Sequence, residues 1–176
     1  MIEQQVQQAR LGQLYGTYGK PETQSLRRAI AAANVLGMSA LVIGSEKPWV
    51  EALLLEAGVA NVTTLEYSEI RSEHPRLRTL TPARFRADSH RLRYDVIVTF
   101  SSLEHPGLGR YGDSLNPWGD LIAVARAWCV AKPDAKLIIA VPTTKSDAIV
   151  WNAHREYGPL RYPHLVTNWK FVWTDG

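Results

Sequence analysis

Residues 94–120 read YDVIVTFSSLEHPGLGRYGDSLNPWGD, an apolar run followed by a loop rich in glycine and charged residues. Val96, Ile97, Val98 and Phe100 are typical of a strand that is covered on both faces of a parallel sheet. Ligands of such sheets bind outside the carboxyl ends of the strands. The sequence therefore predicts a functional site in the polar loop after this strand.

Strand and helix patterns alternate on either side of this segment. Short apolar runs predict strands at 39–43, 62–65, 77–80, 94–100 and 136–141, with a last edge strand at 169–173. Helical spacing predicts helices at 2–14, 23–36, 50–57 and 118–131. Because parallel neighbours need crossover connections, this order predicts an α/β fold with a mainly parallel sheet and helices on both faces. We expect residues 1–37 to form an N-terminal helical segment packed on a core domain of residues 38–176.

The composition fits one domain. The chain has 176 residues, 45% of them hydrophobic, and a net charge of +3. The basic run from Arg84 to Arg93 is interpreted as a solvated surface, so we expect no nucleic-acid partner. A single Cys129 excludes an internal disulfide and is expected in the core. No signal peptide or long apolar stretch is recognisable, so we expect a cytoplasmic protein without a membrane partner.

The first predicted strand leads into the turn GSEKPWVE, which begins at Gly44. Its single glycine does not match the signature of a diphosphate-binding loop. Glu66 closes the second strand about 20 residues later, where a carboxylate can accept hydrogen bonds from ribose hydroxyls, although a solvated strand end is equally compatible. A literal G-x-G-x-x-G runs from Gly107 to Gly112, but it follows the fourth predicted strand and not the first, and it leads into a loop. It is interpreted as a loop that closes over a ligand.

Several segments are similar to known methyltransferases. VTFSSLEH resembles the fourth-strand segment of class I S-adenosylmethionine-dependent methyltransferases, and AVARAWCVAKPDAKLIIAVP resembles their next helix, turn and fifth strand. GSEKPWVEALLLEAG, TTLEYSE, SSLEHPGLGRYGD, LNPWGD and WNAHREYG together resemble a methyltransferase-like domain family of unknown function, domain of unknown function 268. The resemblance implies a Rossmann-like fold with S-adenosylmethionine as cofactor.

The resemblance also suggests which residues bind the cofactor, with Gly44 at the cofactor turn and Glu66 as the ribose-binding acid. Trp49 lies where the family has an open turn, and its indole either stacks on a ligand ring or fills the pocket. The predicted cofactor-binding residues are Gly44, Ser45, Trp49, Glu66, Tyr67, Ser101 and Ser102.

Catalytic candidates follow from the chemistry of methyl transfer. His105 is the best candidate for a general base, with Glu104 orienting it or acting in its place and His154 as a further candidate. Arginine suits an anionic acceptor. The predicted substrate-binding residues are Arg110, Tyr111, Asp113, Asn152 and Arg155. No H-x-x-x-H or H-x-x-E-H spacing is present, so no metal site is predicted.

These patterns lead to a hypothesis and an alternative. The hypothesis is a methyltransferase that uses S-adenosylmethionine to modify a small polar, anionic or carbohydrate-like acceptor. The alternative is a non-catalytic module on the same fold that has lost the cofactor and binds a polar or anionic ligand.

Overall fold

The computed structural model describes residues 2–175 and contains a five-stranded sheet in which every neighbouring pair is parallel. Its strands are β1 (Ser39–Ile43), β2 (Asn61–Leu65), β3 (Leu77–Leu80), β4 (Tyr94–Phe100) and β5 (Ala131–Ala140). Their order across the sheet is β3-β2-β1-β4-β5. Strand order reverses between β1 and β4, as in Rossmann-like folds. The predicted α/β, Rossmann-like class is confirmed.

Helices cover both faces of the sheet. They are α1 (Ile2–Arg10), α2 (Lys20–Ala33), α3 (Trp49–Glu56), α4 (Pro82–Asp88), α5 (Gly119–Cys129) and α6 (Tyr162–Leu165). Side chains of α1, α2 and α3 pack with Val42 on one face, whereas those of α4 and α5 pack with Leu41 on the other. Successive side chains of a strand point to opposite faces, so β1 contributes to both cores.

The N-terminal helices share a hydrophobic core with the sheet. Val6 of α1, Leu26 and Ile30 of α2, and Leu53 of α3 are all buried in the same cluster. The segment between α1 and α2 is thereby placed beside the carboxyl end of β1, where it contributes to the cavity described below.

The structure corrects two expectations and adds a helix that was not predicted. Residues 169–173 form no strand, and Trp169 packs edge-on against Trp128 at 5.1 Å. An antiparallel hairpin of β6 (Ala148–Val150) and β7 (His154–Glu156) precedes α6. Helix α4 was not predicted, because its seven residues are too few to show a clear helical period. Cys129 is exposed, since helical geometry turns it away from the buried Ala127 two residues earlier.

No helix within residues 2–175 combines the length and the apolar character needed to cross a membrane.

Candidate functional site

A cavity of about 730 Å³ opens at the carboxyl ends of β1, β2 and β4. This is the edge at which strand order reverses, where ligands of open α/β sheets bind. Its volume is in the range of small-molecule sites. The cavity is lined by the turn after β1, the ends of β2 and β4, helices α4 and α5, and the N-terminal segment. Its lining residues include Tyr18, Gly44, Ser45, Trp49, Glu66, Tyr67, Arg86, Phe100, Ser101, Ser102, His105, Tyr111 and Arg126.

Gly44 begins the turn after β1 and requires glycine for two reasons. Its φ of +72° lies in the left-handed region, and a Cβ added to it would lie 1.8 Å from Ser102 Oγ. The Gly44 amide donates to the Leu65 carbonyl at 2.9 Å. The turn therefore brings the end of β1 into close contact with both β2 and the loop after β4.

Glu66 is fixed by two main-chain amides. The Ser45 amide donates to Oε2 at 3.0 Å, and the Tyr67 amide donates to Oε1 at 2.6 Å. A carboxylate oxygen can accept two hydrogen bonds, so each oxygen keeps one acceptor position. Glu66 is partly exposed and lines the cavity. Its remaining acceptor positions are available to the hydroxyls of a ligand.

Beneath this turn, Glu51 of α3 is fully buried, and the sequence analysis did not identify it. Thr64 Oγ1 donates to Oε1 at 2.5 Å, and Ser45 Oγ lies 2.8 Å from Oε2 and 3.0 Å from the Lys47 carbonyl. Burial raises the pKa of Glu51 to about 7, although the hydrogen bonds from Thr64 and Ser45 oppose the change. The Ser45 hydroxyl has one proton and can donate to only one of these two oxygens. Both contacts are hydrogen bonds if Ser45 donates to the Lys47 carbonyl and a protonated Glu51 donates to Ser45 Oγ.

Glu51→Gln is expected to make the protein more stable at alkaline pH. The pKa of Glu51 rises from its ordinary 4.5 to about 7 on folding, so the unfolded chain loses this proton first and stability falls as pH rises from about 4.5 to 7. Glutamine stays neutral. Urea unfolding should show similar stabilities at pH 5 and a gain of about 1–3 kcal/mol for the variant at pH 8.

The matched control for this prediction is Glu73→Gln, since Glu73 is exposed. It should leave the difference in stability between pH 5 and pH 8 unchanged. Equal pH dependence of wild type and Glu51→Gln would show that Glu51 is ionised in the folded protein.

Aromatic side chains form one wall of the cavity. Trp49 is buried, with its indole against Gly16 and its ring 5.1 Å from Phe100 in an edge-on arrangement. Tyr18 packs on the same Phe100 at 5.7 Å. A Cβ on Gly16 would lie 2.3 Å from the indole, so the N-terminal segment fits closely over Trp49. The indole is therefore part of the wall, held in place by that segment.

His105 lines the cavity, and only one of its ring nitrogens makes a hydrogen bond to another of residues 2–175. Its Nδ1 lies 2.6 Å from the Ala153 carbonyl, and this contact requires a proton on Nδ1 because a carbonyl only accepts. In the neutral imidazole Nε2 is then the acceptor. Nε2 lies 3.8 Å from Oε1 of the buried Glu104, which accepts a hydrogen bond from Ser101 Oγ at 2.6 Å. This arrangement is suited to accepting a proton.

Two tyrosines meet at the mouth of the cavity. The rings of Tyr67 and Tyr111 stack with centroids 6.1 Å apart, and Tyr111 also lies edge-on to His105 at 5.7 Å. Burial, helped by the charges of Asp113 and Glu66, raises the pKa of Tyr67, so its phenol stays protonated. The pair joins the end of β2 to the glycine loop across the opening.

Six predicted site residues do not line the cavity, and one of them is the buried Glu104. Asp113 accepts from the Gly107 amide at 2.5 Å and the Tyr111 amide at 3.3 Å, so it holds the glycine loop together. The Arg110 guanidinium lies over the Tyr111 ring at 5.7 Å. Asn152 is exposed in the hairpin turn, and His154 Nε2 lies 3.8 Å from Glu156 Oε1.

Arg155, the sixth, is 1% exposed and donates hydrogen bonds to main-chain carbonyls. Its NH1 donates to the carbonyls of Pro106 at 2.7 Å and Glu104 at 3.3 Å, and its NH2 donates to that of Asn116 at 3.2 Å. Arg155 therefore holds the loop that carries His105.

Two arginines that the sequence analysis did not identify as site residues line the cavity. Arg86 belongs to α4, which was not predicted, and Arg126 lies in the last turn of α5, where a basic residue is ordinary. Helices α4 and α5 pack on the same face of the sheet, and this packing brings the two side chains to the same cavity.

No group of three or more His, Cys, Asp or Glu side chains within residues 2–175 is arranged to hold a metal ion.

Comparison with known proteins identifies the family. The profile of the family described as "Caenorhabditis protein of unknown function, DUF268" matches residues 37–175, and the chain belongs to this family. No curated protein matches the chain.

Solved structures that are similar to the chain include different enzymes. A protein assigned as an S-adenosylmethionine-dependent methyltransferase from Streptococcus mutans is 10% identical over 61% of this chain and 31% of its own length, with a TM-score of 0.44. A second assigned methyltransferase, in complex with S-adenosylhomocysteine, is 12% identical over 64% and 33%, with a TM-score of 0.49. A chorismate mutase/shikimate 5-dehydrogenase fusion from Clostridium acetobutylicum is 12% identical over 61% and 40%, with a TM-score of 0.38. The chain spans less than half the length of each.

Proposed function

We propose that this member of the DUF268 family binds S-adenosylmethionine in the cavity and transfers its methyl group to a small polar acceptor. The observation that carries the proposal is Glu66 at the end of β2. Two main-chain amides orient its carboxylate, which keeps acceptor positions for a pair of ribose hydroxyls.

The turn after β1 favours a ligand without phosphate. A diphosphate at this position needs free main-chain amides at the start of the following helix. Here the first amide of α3, that of Trp49, donates to Lys47, and the turn amides of Gly44 and Ser45 donate to Leu65 and Glu66. S-adenosylmethionine has a ribose but no phosphate, so it fits this donor set better than a dinucleotide does.

His105 would act as the general base. Bound S-adenosylmethionine supplies an electrophilic methyl group. Nε2 of His105 accepts the proton that an acceptor hydroxyl loses, while the hydrogen bond from Nδ1 to Ala153 keeps the ring in place. Glu104, 3.8 Å from Nε2, stabilises the imidazolium that results.

Arg86 and Arg126 indicate the acceptor class. Both line the cavity, and neither makes a hydrogen bond or ion pair through its side chain with another of residues 2–175. A guanidinium binds carboxylates and phosphates through paired hydrogen bonds. We therefore propose a small acceptor that carries a hydroxyl and an anionic group.

Glu66→Gln is expected to weaken S-adenosylmethionine binding by about 10-fold or more, because an amide offers one acceptor oxygen instead of two. Isothermal titration with S-adenosylmethionine and S-adenosylhomocysteine would measure this. Glu69→Gln is the matched control, since Glu69 is exposed in the same loop outside the cavity.

The wild type is expected to bind in the micromolar range, about 8 kcal/mol. If the folded wild type releases no heat with millimolar ligand, the cofactor assignment is wrong and the non-catalytic alternative gains support. If Glu66→Gln and Glu69→Gln bind as tightly as the wild type, Glu66 does not bind ribose.

A further inference from the structure

A second concave surface lies at the amino ends of β2, β3 and β4, at the opposite edge of the sheet from the cavity. We call it the arginine groove and define it by residues 61–63, 75–78 and 91–94, which enclose about 460 Å³. The proposed methyl transfer uses none of these residues.

The groove is strongly basic. Four arginines line it, and none of its lining residues is acidic; the arginines are Arg76, Arg78, Arg91 and Arg93. Asp88 pairs with Arg91, so one charge is compensated. Asp95, next along β4, is engaged by Lys132 at 2.8 Å and by Ser39. The groove therefore keeps an excess of positive charge.

Two of the guanidinium groups are partly fixed by the main chain. Arg76 NH1 donates to the Val59 carbonyl at 3.3 Å, and Arg93 NH1 donates to the Leu92 carbonyl at 2.6 Å. Their other nitrogens make no hydrogen bond to another of residues 2–175. Anchoring one side of a guanidinium reduces the entropy that is lost when its other side binds an anion.

A buried donor adjoins the same groove. Tyr94 is 3% exposed, and its hydroxyl has no hydrogen-bond partner within residues 2–175. Buried hydroxyls nearly always have a partner, which can be an ordered water. Asn61 and Thr63 add two more side chains with hydrogen-bond donors to the lining.

We propose that the arginine groove is a second ligand site, for a small anion with two or more phosphate charges. Arginine forks match phosphate oxygens, and several donors from different segments suit a ligand with several oxygens. Non-specific binding of single-stranded nucleic acid relies on exposed aromatic rings that stack with bases. Tyr94 is the only aromatic residue of the groove and is buried, which favours a small anion over a strand.

Titration of the full chain with inorganic pyrophosphate tests this site. Arg78→Gln is expected to weaken pyrophosphate binding about 10-fold, and Arg84→Gln, an exposed arginine outside both the groove and the cavity, is expected to stay within about twofold of the wild type.

Three results would overturn the proposal. One is no heat with millimolar pyrophosphate from folded wild type. Another is an equal loss in Arg78→Gln and Arg84→Gln, which would indicate non-specific attraction. The third is tighter binding of a single-stranded oligonucleotide than of pyrophosphate at the same salt concentration, which would assign the groove to nucleic acid. S-adenosylmethionine affinity should be the same in Arg78→Gln as in the wild type, so the groove and the cavity are tested separately.

Discussion

Arg155→Met is expected to lower the free energy of unfolding by about 3–5 kcal/mol. The methionine has a similar length but donates no hydrogen bonds, so the carbonyls of Pro106 and Asn116 lose their guanidinium donors. Asp120 is buried, and its Oδ2 lies 3.7 Å from Arg155 Nε. Without Arg155, Arg161 is its one remaining cationic partner within residues 2–175. Urea unfolding followed by circular dichroism would measure the change.

Arg84→Met is the control for this prediction. Arg84 is exposed in α4, so the same substitution should change stability by no more than about 0.5 kcal/mol. If Arg155→Met lost less than about 1 kcal/mol, the main-chain contacts of Arg155 would not hold the loop. A loss of about 3–5 kcal/mol would instead show that buried Arg155 stabilises the loop that carries His105.

His105→Asn is expected to slow methyl transfer by roughly 100- to 10,000-fold, the usual range for removal of a general base. Asparagine retains an N–H that can donate to the Ala153 carbonyl but has no counterpart of Nε2. Affinity for S-adenosylmethionine should stay within about twofold, because the proposed contact of His105 is with the acceptor. The assay uses methyl-labelled S-adenosylmethionine and an acceptor found by screening hydroxy acids and sugar acids.

The control for His105 is His154→Asn. His154 lies in β7 outside the cavity, so this variant should retain nearly full turnover. If His105→Asn turned over within about threefold of the wild type, His105 would have a structural role and no part in proton transfer. A loss of turnover in both variants would indicate that the hairpin and the loop after β4 support activity together, without a specific role for His105.

The strands of the sheet were predictable because burial on both faces leaves a strong local pattern. The bounds of β1, β3 and β4 agree with the prediction, and the positions of Gly44 after β1 and Glu66 after β2 followed from the order of strands and from the family resemblance. Both residues lie at strand ends, where the order of elements already determines the edge of the sheet that a side chain occupies.

Residues after β5 were harder to place. Arg155 looks like an anion-binding residue in the sequence, since a guanidinium has the same donors whether it binds a ligand or a main-chain carbonyl. Its burial and its three carbonyl partners depend on the hairpin folding back over the loop after β4. The role of Asp113 likewise depends on the path of its own loop, because it accepts hydrogen bonds from two amides of that loop.

The sequence by itself determined the α/β class, the central strands and the edge of the sheet that holds the cavity, because these follow from hydrophobic pattern and element order. Only the tertiary structure decided that Glu51 is buried beneath the turn after β1, that Nε2 of His105 is the free nitrogen, and that Arg86 and Arg126 line the cavity. It also gathered four arginines from separate segments at the opposite edge of the sheet. The physical reason is that burial, hydrogen-bond partners and electrostatic surroundings depend on elements distant in the chain, which local patterns do not specify.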